Sequence, residues 1–237
     1  MGESDDRADD EDRDSLVSKK KEFFESFFRK GAEITRELLA ENDRLRRRIV
    51  DLEDALEREN GDLASLYVAQ TQLHASLDAA EVVRVILEIG LNFIGAQRFA
   101  IYLVDRAGRL RALAAEGIDP DTLPPVDPDD SGAIGAAFAG APLIIDAEAP
   151  VVRREPGTSD PSVCCPLRAR GKVIGVLAIW CFLRQKQHIT DLDRRLLELM
   201  SDGGGHALEA ARLARQGLQG TGQEPGVHED YAAMLGG

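Results

Sequence analysis

Cys164 and Cys165, side by side in a chain of 237 residues, are the residues whose type comes nearest to chemistry. A thiol acts as nucleophile or redox centre in its thiolate form, held beside a base or a helix N-terminus. These two fall inside an apolar run, 163–169, that reads as a β-strand. Successive strand residues point to opposite faces, and adjacent cysteines bridge only with strain. An oxidoreductase using either one would need a depressed thiol pKa. With Cys181 the total is three, which builds no disulfide framework and fits a reducing cytoplasm. His74, His188, His206 and His228 have the spacing neither of a Ser-His-Asp set nor of metal ligands. Five aspartates crowd 119–130, but Asp127, Asp129 and Asp130 do not have the offsets of a calcium loop, so the segment reads as solvated. The expectation is no catalytic group, no metal and no cofactor.

The cysteines belong to a stretch, 131–180, around which the rest is organised. Glycine- and alanine-rich 132–140 reads as a helical turn, stopped at Pro142 and followed by a short strand, 143–146. The runs 163–169 and 172–181 flank Arg170-Gly171 and predict a hairpin. Residues 173–180 are apolar at nearly every position, which predicts a central strand buried on both faces.

Gly132, Gly135, Gly140, Pro142 and Asp146, then Pro166, Leu167, Gly171, Val173, Ile174, Gly175, Val176 and Leu177, resemble the motifs of the GAF domain, a small-molecule-sensing and dimerising module related to PAS domains. The resemblance covers about 77–215. It implies an α+β fold, a GAF/PAS-like antiparallel sheet with helices packed on it, here behind a long N-terminal coiled-coil helix. GAF-fold methionine sulfoxide reductases use cysteines of the pocket loops, and 147–161 contains none. Haem- and bilin-binding relatives use a pocket His or a Cys near His, whereas His188 and His206 flank or lie on the last helix, away from the expected pocket. The cyclic-nucleotide pattern is not found after Phe138. Residues 147–161, with Pro150, Pro156, Pro161, Arg153, Arg154 and Glu155, read as a polar loop with no lid helix. Gly135, Ala136, Ala139 and Ala141 leave room for a ligand or let their helix sit close on the sheet, and close packing is the expectation.

The flanks divide the chain further. Residues 1–15, mostly acidic, predict a disordered N-terminus. Residues 16–75 read as a Phe-rich helix and coiled coil, 77–215 as the GAF domain and 216–237 as a flexible tail, whose Tyr231, Met234 and Leu235 are spaced for one helix face. Phe23, Phe24, Phe27 and Phe28 sit at helical spacing; they either fill a helical bundle or dock a partner protein. From there a heptad runs on. Leu38, Leu45, Leu52, Leu66 and Leu73 fall at d, and Asn42, Ile49, Leu56 and Leu63 at a. One Asn at an a position selects the parallel two-stranded form. Glu41 with Arg46, and Arg48 with Glu53, are placed for interchain attraction. The arginine run 44–48 lies within the heptads, among acids, where a basic zipper would place it before them.

Asp78 and Glu81 have capping-box spacing for a helix ending at Gly95, and Thr190 with Asp193 starts the last helix. Gly203, Gly204 and Gly205 predict either a break in it or a close approach to another helix. The net charge of -13 speaks against nucleic acid and an anionic membrane as partners, and no run is long enough to span a bilayer. The expectation is a non-enzymatic, cytoplasmic homodimer acting as a signalling or scaffolding adaptor through protein contacts. The alternative is a sensor that binds a small molecule in the GAF pocket and signals through the coiled coil.

Overall fold

The computed structural model describes residues 5–141, 153–157, 160–219 and 232, with side chains described from 18 to 215 within those stretches and at 232. The expected strand 143–146, part of the loop 147–161, most of the tail and His228 lie outside the described residues. The chain forms two compact units, Met1–Asn60 and Gly61–Gly237.

The first unit is helical throughout its described length, as part of α1 (Asp5–Leu73). The helix begins inside the acidic stretch from which composition predicts no structure.

The second unit is built on four antiparallel strands, β1 (Ala96–Val104), β2 (Leu110–Glu116), β3 (Val163–Ala169) and β4 (Lys172–Phe182), in the order β2-β1-β4-β3. β4 lies inside the sheet and is buried from Gly175 onward, as its unbroken apolar run requires. β3 is an edge strand, where Pro166 forfeits no inner ladder bond. The hairpin turn has both central residues at positive φ, Arg170 at 50° and Gly171 at 76°. This is the arrangement whose twist matches the two strands.

Helices cover one face: α2 (Ala79–Ile89), α4 (Asp191–Leu199), α5 (Gly205–Gln219) and the end of α1, through Ala69 and Leu73. Their apolar stripes meet Phe99, Ile101, Leu103, Cys165, Leu167 and Leu177 in one core. Asp78 caps α2 by accepting from the Ala80 and Glu81 amides. The expected capping box is incomplete, because the Glu81 carboxylate accepts from Arg84 instead. At α4 the box is complete between Thr190 and Asp193.

The three glycines do not break the last helix. A π turn, Met200–Gly204, carries it from α4 into α5. The close approach is to a strand, not to another helix. A Cβ at Gly205 would lie 2.2 Å from the Arg168 carbonyl oxygen, so only glycine lets the start of α5 rest on β3.

The opposite face is covered by α3 (Ala133–Phe138) and the segment before it. Ile134 and Ala137 of α3, with Leu110 and Leu123, pack against Tyr102, Cys164, Val176, Ala178 and Trp180.

Candidate functional site

Two features of the structure invite a partner: an apolar seam along α1 and a recess under α3. On α1, Leu38, Asn42, Leu45, Ile49, Leu52, Leu56 and Leu63 are all exposed in the single chain, Leu38 to 66% and Leu56 to 62%. Leucines left this open on a helix need a second surface. Leu66 and Leu73 do not share that condition. Leu66 is half-buried against the core of the second unit and Leu73 is fully buried in it. The heptad reading carried them into the seam, but with Ala69 they form an i, i+3, i+7 set that serves the chain's own sheet. A side chain packed there is not free to fill a partner's seam. Ala69 is the residue the sequence reading missed, being too small to register as a hydrophobic position.

The flanking charges are solvated. The carboxylate of Glu41 lies 3.8 Å from Arg44 of its own helix, and Arg46, Arg47 and Arg48 are exposed. Phe23, Phe24, Phe27 and Phe28 are exposed as well, Phe28 to 70%, and make ring contacts with one another. Phe23 and Phe27 are stacked at 6.4 Å. Phe27 and Phe28 meet edge-on at 6.2 Å.

The recess has a volume of about 430 Å³ and is lined by Tyr102, Val126, Asp130, Ile134, Asp160 and Trp180 among others. The Tyr102 and Trp180 rings form its aromatic floor, with centroids 6.4 Å apart. Burial pushes the Tyr102 hydroxyl pKa upward, with the neighbouring Cys164 adding to it, so the phenol stays neutral. Two carboxylates reach the start of α3: Asp130 accepts from the Gly132 amide at 3.3 Å and Asp160 from the Ala133 amide at 3.5 Å. Gly135 is needed for the loop and not for the sheet, since a Cβ there would lie 2.2 Å from the Asp130 carbonyl oxygen. α3 itself packs on the sheet through Ile134 and Ala137. Described residues 153–157 contain no helix and are tied down at several points. Arg153 donates to the Leu183 and Arg184 carbonyls, Arg154 to the Asp160 carbonyl, and Arg98 pairs with Glu155.

Cys164 and Cys165 occupy the second and third positions of β3 and point to opposite faces, one into each core. Burial, more than any neighbouring charge, pushes both thiols up to about 12. The Cys165 thiol donates to the Leu197 carbonyl at 3.1 Å. A thiol so held is protonated at neutral pH, the opposite of what nucleophilic or redox chemistry requires. His74, His188 and His206 are exposed, and Nδ1 of His206 lies 2.7 Å from the Asp202 carbonyl oxygen. Among the described residues no group of three His, Cys, Asp or Glu side chains could hold a metal ion. No helix among them is long and apolar enough to cross a membrane.

This sheet order and these motifs define a small α+β module, and the comparisons with known proteins agree. The chain belongs to the GAF domain family, whose model, described as GAF domain, matches residues 76–209. Among solved structures it is similar to the GAF domain from an Acinetobacter phosphoenolpyruvate-protein phosphotransferase, with 16% identity, a TM-score of 0.51, and coverage of 69% of this chain and 98% of that one. It is also similar to residues 122 to 287 of a methyl-accepting chemotaxis protein, with 22% identity, a TM-score of 0.48, and coverage of 62% and 98%. A third is the GAF-B domain of DevS from Mycobacterium smegmatis, with 26% identity, a TM-score of 0.42, and coverage of 61% and 100%. No curated protein matches the chain.

Proposed function

We propose that this protein is a cytoplasmic signalling adaptor, a parallel homodimer that holds two GAF domains together and acts through protein contacts without catalysis. The observation that carries the reading is the exposed seam from Leu38 to Leu63, with a single Asn42 at a core position. Burying leucines at about 25 cal/mol per Å² drives association, while paired Asn42 side chains select the two-stranded, in-register form. Two buried, protonated thiols and dispersed histidines support a non-enzymatic role. Membership in the GAF domain family, a domain found also in an Acinetobacter phosphoenolpyruvate-protein phosphotransferase, fits signalling.

Sedimentation velocity tests it. The full chain is expected to run with no monomer at micromolar concentration, and Leu45→Lys with Leu52→Lys to run as a folded monomer. A monomeric parent chain would sink the proposal.

The recess under α3 favours a second reading, a sensor. Its volume of about 430 Å³ suits a small molecule, and the nearly buried Tyr102 and Trp180 are among its lining residues. Native mass spectrometry of protein from its own source separates the two: bare subunits support the adaptor, and a stoichiometric small adduct supports the sensor.

A further inference from the structure

The first unit carries two apolar stripes of different width. Over 42–56 the a and d residues fall within about 80° of the helix circumference, which is what one partner helix covers, and Val50 at b is the one exposed large apolar side chain outside them. Over 23–39, Phe23, Phe24, Phe27, Phe28, Ile34 and Leu39 spread across about 160°. All six are more than half exposed, from 52% at Ile34 to 70% at Phe28. In the register of the seam, Phe24 and Phe28 continue positions d and a. Phe23 falls at c, Phe27 and Ile34 at g, and Leu39 at e. A two-stranded coil leaves c, e and g at its margin, so even after pairing this stretch would keep an apolar surface. Stripes of such width belong to helices in bundles.

We infer that this surface docks a second dimer of the same chain, antiparallel, so that four copies of the Phe-rich segment form a four-helix bundle. The inference rests on the dimeric reading above. Charge selects both the occupant and the direction. Residues 5–14 carry seven acids and two arginines. An antiparallel overlap centred on the phenylalanines sets residue 14 beside residue 37 and residue 5 beside residue 46. That brings the acidic end alongside the exposed arginine run of 44–48, of which Arg44 lies 3.8 Å from Glu41. A parallel overlap would add two more acidic ends to the two that the parallel dimer already brings together. An anionic lipid surface is repelled by the same acidic end, and Glu22, Glu25 and Glu33 interrupt the basic residues of the polar side. The arginine run, which is misplaced for a basic zipper, thereby gains a partner within the assembly.

Native mass spectrometry and sedimentation velocity of the full chain provide the test. The unmodified chain is expected to form tetramers at micromolar concentration and low salt, shifting toward dimers as salt screens the end contacts. Phe23→Ser with Phe27→Ser, both off the seam, is expected to give dimers at every concentration. Mixing Ala8→Cys chains with Asp43→Cys chains under mild oxidation is expected to link position 8 to position 43. A parent chain that stays dimeric at all concentrations overturns this inference and leaves the dimer standing, and so does a dimer that instead floats with phosphatidylserine vesicles. Tetramers that survive both serine substitutions, or that link only 8 to 8 and 43 to 43, overturn it as well. A monomer overturns both readings.

Discussion

The two faces of the sheet are closed in different ways. On one, α2, α4, α5 and the end of α1 bring aliphatic side chains into a single large core, and Gly205 sits against the backbone of β3. On the other, α3 has only six residues, and the segment before it leaves a recess with Tyr102 and Trp180 at its floor. Arg168 ties the two sides around the edge strand, donating to Ser201 Oγ at 3.0 Å and to the Gly140 carbonyl at 3.0 Å. The closed face packs its side chains into one core, and the other keeps a core of its own with a recess beside it.

That contrast is broken first where it is sharpest. Gly205→Val places a Cβ against backbone atoms of Arg168, 2.2 Å from its oxygen and 2.5 Å from its nitrogen, and neither can move aside as a side-chain end would. Overpacking of this kind costs about 3 kcal/mol. The expected loss in melting temperature is about 10 °C; a melt within 2 °C of the parent would show that α5 does not rest on β3 in solution. A smaller effect concerns the two thiols, one behind each face. Both are raised from 9 to about 12 by burial, so the folded state holds their protons more tightly than the unfolded chain does. Their contribution to stability is complete below pH 9 and is lost as the pH climbs toward 12. Thermal melts across that range should fall less steeply for Cys164→Ala with Cys165→Ala than for the parent; identical slopes would contradict the buried, protonated thiols.

The closed face was legible in the sequence because its signals are local. The run 173–180 could only be a strand buried on both sides, the Thr190/Asp193 pair could only open a helix, and Arg170-Gly171 supplied the positive-φ turn. What escaped was set by tertiary approach. Three consecutive glycines announce a close contact without naming its partner, and that partner proved to be a β-strand 35 or more positions earlier in the chain. Likewise the leucine heptad does not state where it stops serving a partner. Leu66 has the seam's spacing, and only the placement of Ala69 and Leu73 in the domain core turns it inward. The pocket stood open in the sequence as the sensor alternative, because Gly135 and its neighbouring alanines permit either a gap or close packing; the contact that requires Gly135 is with the Asp130 backbone, which no periodicity reports.

The weakest expected effect sharpens the comparison most, because it tests the side with space. Val126 is half-buried at the rim of the recess and exchanges two backbone hydrogen bonds with Leu110, at 2.8 and 2.9 Å. Val126→Phe leaves those bonds untouched and sends the larger side chain toward open volume, so the change in stability should stay below about 1 kcal/mol. Ile86→Phe adds less bulk, but to a residue with no exposure in the closed core, and should destabilise by about 1–3 kcal/mol. The ranking of the two by urea denaturation is the measurement. If Val126→Phe were the more damaging, the recess would have to be filled by the chain itself in solution, and the sensor reading would lose its site while the adaptor reading would keep its seam.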